Sequence, residues 1–308
     1  IATDGPIAID GDLLNALTPR GAEQTKLESF VRSLNPLGAV HLVQATLRTD
    51  RDGSKHRDFE LRVSDGSLRF EKFAYPLYNV AGAIKVADDV LTLADFQGSN
   101  PNGGLIRCSG RYHLPPADPR FASRQPQLEL DFDAQRIALD EALKRSLPSQ
   151  SRKTWESLAP SGVLDQLRIK LVRQSAGDPL QLTVAGRQYD AKRIGSDTLR
   201  LQPLALPYRL DIAEAAVRYE DGRVLIDFIR AVHGQSSVTA DGQCGRQENG
   251  RWLLEIDVHN GSRLIADAEL TNALPRQMRA AIRGLNLRGP VGLSGVSETL
   301  LSSEDYPD

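Results

Sequence analysis

The sequence predicts a mainly β fold of the α+β class, an elongated array of repeated antiparallel meander units, each carrying a short amphipathic helical pair. Three observations carry that expectation. Apolar and polar residues alternate with period two over many short runs, as in Leu128-Glu129-Leu130-Asp131-Phe132-Asp133, the mark of a strand with one dry and one wet face. Asx-Gly pairs, which primed hairpin turns favour, punctuate the runs at Asp65-Gly66, Asp221-Gly222, Asn249-Gly250 and Asn260-Gly261. A helical landmark ending in Leu-x-x-x-Gly occurs three times, and a fixed order of landmarks marks a repeat architecture.

Along the chain, Leu13-x-x-x-Leu17-x-Pro19 reads as a short helix that stops at proline. Leu27, Val31 and Leu34, spaced i, i+4, i+7, form the stripe of a second helix, and Leu34-Asn35-Pro36-Leu37-Gly38 opens the first strand. Phe59-Glu60-Leu61-Arg62-Val63 and Leu68-Arg69-Phe70 then alternate as strands on either side of the Asp65-Gly66 turn. The landmarks return as Leu143-x-x-x-Leu147-Pro148, the stripe Ser151, Trp155, Leu158, and Leu158-Ala159-Pro160-Ser161-Gly162. Alternation resumes in Leu167-Arg168-Ile169-Lys170-Leu171, Leu180-Gln181-Leu182-Thr183-Val184, Leu199-Arg200-Leu201 and Leu254-Glu255-Ile256-Asp257-Val258. A third copy runs through Leu270-x-x-x-Leu274-Pro275, the stripe Met278, Ile282, Leu285, and Leu285-Asn286-Leu287-Arg288-Gly289. Between the helical pairs, Pro76, Val86, Asp95-Phe96 and Cys108-Ser109-Gly110-Arg111 find partners in Pro207, Val217, Asp227-Phe228 and Cys244-Gly245-Arg246. The expected units are 7–124, 125–249 and a third begun over 250–300, followed by an acidic, polar tail over 301–308 expected to be disordered.

Composition excludes more than it assigns. The 308 residues are 40% hydrophobic and 25% charged, with mean hydropathy −0.34, which suits a soluble globular chain. Lys and Arg number 38 against 40 Asp and Glu, so nucleic acid is not an expected partner. The chain begins at Ile1 without Met and reads as a piece of a longer protein. Cys108 and Cys244 occupy matched places in successive units and are expected as unpaired small hydrophobes. His41, His56, His113, His233 and His259 lack zinc-type spacing, and the carboxylates of Asp131 and Asp133 fall on the wet face of their strand, so no metal is expected. There is no nucleophile elbow or phosphate-binding glycine loop, and neither a catalytic residue nor a cofactor is expected. Asn260-Gly261-Ser262 fits a glycosylation sequon, but the Asn-Gly turn accounts for the same residues.

The helical pair with Leu-x-x-x-Leu-Pro, the Leu-x-Pro-x-Gly that opens a strand and the meander with Gly-Arg closings resemble the AsmA-like group of bacterial envelope proteins, with their TamB-like and YhdP-like relatives. The resemblance spans nearly the whole chain as a style and a spacing. It implies a periplasmic parent anchored in the inner membrane, whose sheets form a hydrophobic groove for phospholipid acyl chains and which meets membranes through parts outside this chain. On that reading the dry faces carrying Leu128, Leu130, Phe132, Leu167, Ile169, Leu180, Leu182, Val184, Leu254, Ile256 and Val258 line the groove. The alternative is a spacer or adhesive scaffold, in which the same residues close into an ordinary sandwich core and hold no ligand.

Overall fold

The computed structural model describes residues 2–15, 26–51, 55–71, 73–88, 90–113, 127–175, 177–189, 195, 197–204, 207–220, 222–246, 252–273, 276–285 and 289–301. Strand β1 (Ile7–Ala8) precedes helices α1 (Gly11–Asn15) and α2 (Lys26–Ser33). Six strands follow: β2 (Leu37–Thr49), β3 (Lys55–Phe70), β4 (Phe73–Ala87), β5 (Val90–Ser99), β6 (Leu105–His113) and β7 (Leu128–Ala138). Helices α3 (Glu141–Ser146) and α4 (Ser149–Leu158) lead to β8 (Val163–Arg173), β9 (Gln181–Gln188) and β10 (Arg200–Leu201). Next come β11 (Leu210–Glu220), β12 (Arg223–His233), β13 (Ser236–Arg246) and β14 (Trp252–Leu264). Helices α5 (Ala268–Ala273) and α6 (Arg276–Leu285) and strands β15 (Val291–Leu293) and β16 (Val296–Leu301) complete the order.

The chain forms two compact units. The first comprises Ile1–Ile137, Arg145–Pro148 and Arg168–Leu182; the second comprises Ala138–Lys144, Ser149–Leu167 and Thr183–Asp308. In the first, β1 to β7 pair antiparallel in sequence order. In the second, β9, β11, β12, β13 and β14 pair antiparallel in order, β10 lies along β11, and both β15 and β16 lie along β14. The fold is mainly antiparallel β, as the alternation predicts. Among the described residues no helix is long and apolar enough to cross a membrane.

The helical pairs start and stop by the same local chemistry. Asp10, Asp140 and Asp267 each accept a hydrogen bond at Oδ1 from the backbone N–H three residues on, at Leu13 (2.9 Å), Leu143 (2.9 Å) and Leu270 (2.8 Å). These are N-caps that satisfy a donor the helix itself leaves unpaired. At the exit of the second helix, Asn35 and Ala159 take φ 43° and 42°, and Gly38 and Gly162 take 123° and 91°. A Cβ on Gly162 would collide with the Thr198 carbonyl oxygen, and one on Gly38 would lie 2.7 Å from Gly66 Cα. Both crowding and φ therefore call for glycine at these sites. The Leu34 and Ser33 carbonyls accept from the N–H groups of Arg69 and Glu71, as those of Leu158 and Ser157 accept from Gln202 and Leu204. Ile9 donates to Gly38, and Leu139 to Gly162, each at 2.9 Å.

Two of the turn expectations are corrected. Asp65-Gly66 lies inside β3, where Asp65 has φ 50° and the register with β4 shifts on both sides of Gly66. Asn260-Gly261 lies inside β14, opposite Thr239 and Val238, beside a register shift that leaves His259 unmatched. A turn and a β-bulge use the same small, conformationally tolerant residues, so composition alone does not separate them. Glu220 and Arg223 pair across Gly222 (φ 79°) as a two-residue hairpin, although Asp221 itself lies outside the described residues. Asn249-Gly250 and 302–308 also lie outside them, and Leu301 pairs with Leu253.

Candidate functional site

Register carries apolar residues straight across the first unit in three rows. One runs Ala45, Phe59, Val86, Leu91, Tyr112, Leu128 from β2 to β7; the next runs Leu42, Leu61, Ile84, Leu93, Gly110, Leu130. In the third, Val40 and Val63 lead through Gly82 to Phe96, Cys108 and Phe132. The Phe96 ring fills the place a side chain on Gly82 would need. The alternating period of each strand puts all three rows on one face. Their side chains are half-buried throughout, and none belongs to the fully buried set. The buried apolar residues of this unit, Tyr75, Val80, Ala134 and Ile137, lie outside the rows.

The opposite face of the first unit is charged in alternating sign. Glu60 faces Lys85 across β3 and β4, and Arg111 faces Glu129 across β6 and β7. Lys170 donates to Glu129 at 2.6 Å, and Arg168 Nε to Asp133 at 3.2 Å. The hydrogen bond and the charge of Lys170 hold the Glu129 carboxyl below the usual carboxylate range. This is a solvated surface stabilised by opposite charges across strands. Among the described residues no group of three or more His, Cys, Asp or Glu is placed to hold a metal.

In the second unit the rows are Val184, Tyr219, Val224, Cys244, Leu254, then Gly186, Val217, Ile226, Gly242, Ile256, then Gln188, Ala215, Ile229, Ala240, Val258. Here one end is sealed. Leu199, Ile212, Ala215 and Ala231 form a buried core, with Leu139, Leu164, Leu201, Leu210 and Ile229 packed against it. Asp211, Ile212 and Ala213 are buried in succession, so β11 is dry on both faces at this end, against the one-sided pattern. Asp211 accepts from Arg200 Nε (3.0 Å) and from Arg209 Nη2 (3.0 Å). Burial pushes its carboxyl up, but the hydrogen bonds and charges of Arg209 and Arg200 outweigh that and hold it below the usual range.

The expected groove residues divide accordingly. Leu128, Leu130 and Phe132 fall in the rows of the first unit, while Val184, Leu254, Ile256 and Val258 fall in those of the second. Leu167 and Ile169 alternate on β8 with the exposed Arg168 and Lys170. Leu180 lies just before β9, and Leu180 and Leu182 are 43% and 41% exposed. Val40, Leu42, Ile84, Val86, Leu91 and Leu93 also lie in the rows but are not among the expected groove residues, although Ile84-Lys85-Val86 and Leu91-Thr92-Leu93 alternate by the same rule. The helical stripes are shorter than expected, since Leu158 and Leu285 are 40% and 67% exposed at the helix ends. Cys108 and Cys244 are free thiols; burial, with Asp131 adding to it, pushes Cys108 up to about 12, and burial raises Cys244. Comparison with known protein families, with curated proteins and with solved structures finds no match.

Proposed function

We propose that this chain is a segment of a lipid-transfer protein, and that the three apolar rows of its first unit form a groove for phospholipid acyl chains. The observation that carries the reading is a sheet face that is apolar in register over six strands yet only half-buried along its length. With about 4.8 Å between strands, each row extends roughly 24 Å. At about 25 cal/mol per Å² of apolar surface, an acyl chain covering a few hundred Å² gains several kcal/mol, enough to hold a lipid while it slides over a uniform face. The chemistry asked of the protein is burial, with no catalysis, cofactor or metal. The resemblance in spacing adds a periplasmic setting and an inner-membrane-anchored parent of AsmA-like type. Membranes are met through parts outside this chain.

A spacer reading has one observation in its favour, the sealed core of the second unit around Ile212. Leu130→Asp separates the two. In a closed face it buries an unpaired charge and unfolds the unit; in an open groove circular dichroism stays native while co-purifying lipid falls. Native mass spectrometry with solvent extraction of detergent-free protein reads the same question directly. Phospholipid in reproducible ratio to protein is expected, and clean apo mass after incubation with liposomes would sink the groove.

A further inference from the structure

Arg173 closes β8, on the alternation that carries Leu167, Ile169 and Leu171 and opposite to that of the exposed Arg168 and Lys170. It belongs to the first unit. Gln127 N–H donates to the Gln174 carbonyl at 3.2 Å, which sets Arg173 beside Leu128, the β7 end of the outermost apolar row. The two neighbouring cations of β8 each have a carboxylate, Asp133 for Arg168 and Glu129 for Lys170. Arg173 has none among the described residues, and its Nε is buried without a hydrogen-bond partner. A guanidinium N–H withdrawn from water costs free energy until an acceptor meets it, and a planar fork of donors suits an oxyanion. On the wet face such a cation would be one more solvated charge. At the end of an apolar row it stands where the polar end of an amphiphile must come to rest if its chain lies on that row.

We propose that Arg173 binds the anionic head of the amphiphile whose acyl chain occupies the rows, so that the site prefers a chain ending in a carboxylate or phosphate over a neutral one. This rests on the groove reading above and adds polarity to it: the head lies at the rim marked by Leu128, and the chain runs from there across the strands.

The test uses three probes with one oleoyl chain, each below its critical micelle concentration: oleate, oleoyl lysophosphatidate and neutral monoolein. Binding to the full 308-residue chain is measured by displacement of an environment-sensitive fluorophore and checked by native mass spectrometry. One or both anionic probes are expected to bind about tenfold tighter than monoolein, the size of a single charge-assisted hydrogen bond. Whichever of the two is preferred tells a fatty-acid source from a lipid phosphate. Arg173→Gln brings the anionic probes to the monoolein level and leaves monoolein unchanged, which also shows that the variant is folded. Arg173→Lys retains part of the preference. Equal binding of all three by the unaltered chain, or a preference that survives Arg173→Gln, overturns the head-group site and leaves the groove standing. No binding of any probe defeats the groove and the head-group site together. Should Arg173→Gln fail to fold, the unaltered chain and Arg173→Lys still decide, because a head-group ion pair weakens as salt is raised and a purely apolar preference does not.

Discussion

The sealed end of the second unit and the half-buried rows of the first are both built on antiparallel strands. Ile212 and Leu199 are 1% and 8% exposed, whereas Leu130 and Leu61, equally apolar, remain half-buried. The difference lies in what packs against the strand. In the second unit the short strand β10 lies along β11, Ser161 and Arg200 exchange backbone hydrogen bonds, and Leu139, Leu164 and Leu201 pack onto Ile212 and its neighbours. Alternation makes a face apolar; whether that face becomes core or surface depends on a second layer.

The largest expected effect falls on the sealed end. Ile212→Ala should cost about 3 kcal/mol, the transfer term plus the cavity left in a closed core. Leu61→Ala, on the half-buried rows, should cost no more than about 1 kcal/mol, because a half-buried side chain loses less contact on truncation. Equal losses in urea denaturation would erase the distinction between the two regions.

Asp211→Asn comes next, at about 2 kcal/mol near neutral pH, since it leaves Arg200 and Arg209 without their shared carboxylate at a position only 6% exposed. Because the folded-state pKa of Asp211 is depressed, its contribution is present above the unfolded value of about 3.9 and is lost as pH falls through the folded value. The acid limb of the stability curve should therefore flatten in Asp211→Asn. An unchanged limb would mean that the ion pair does not stabilise the seal.

Asp140→Ala, which removes an N-cap, should cost about 1 kcal/mol, and Asp10→Ala a similar amount at the matched helix. A loss confined to one of them would show that the helical pairs do different jobs in the two regions. The smallest effect is expected at His56, at the hairpin ends of the first unit. Its Nδ1 lies 3.2 Å from Asp88 Oδ1 and its Nε2 lies 3.3 Å from Asp50. The hydrogen bond to Asp88, then the Asp88 charge, raise its pKa. The stabilisation is thus present below the unfolded value of about 6.5 and is lost as pH rises through the folded one. His56→Ala should shift the thermal midpoint slightly at pH 5 and not at pH 9; the reverse order would contradict the geometry.

Much of this fold was legible from local pattern. The Leu128 to Asp133 alternation became β7 with its two faces as expected, and α3 ends at Ser146 ahead of Pro148. The capping aspartates Asp10, Asp140 and Asp267 are equally local, each three residues ahead of a leucine whose N–H it accepts. Asp65-Gly66 and Asn260-Gly261 differ from the expected turns because an Asx-Gly pair serves a bulge as well as a turn, and only the partner strand tells which.

Local chemistry therefore determined the class of the fold, the faces of its strands and the exits of its helices, since alternation, capping and the positive φ of Gly38 and Gly162 act within a few residues. Tertiary structure alone decided which strands stand side by side, and so which leucines join into rows. It also decided that Ile212 is buried while Leu130 is half-buried, and that Arg173 stands at the end of a row without a carboxylate among the described residues. Burial and unmet polar groups are properties of neighbours brought together from distant parts of the chain, and no period within one strand encodes them.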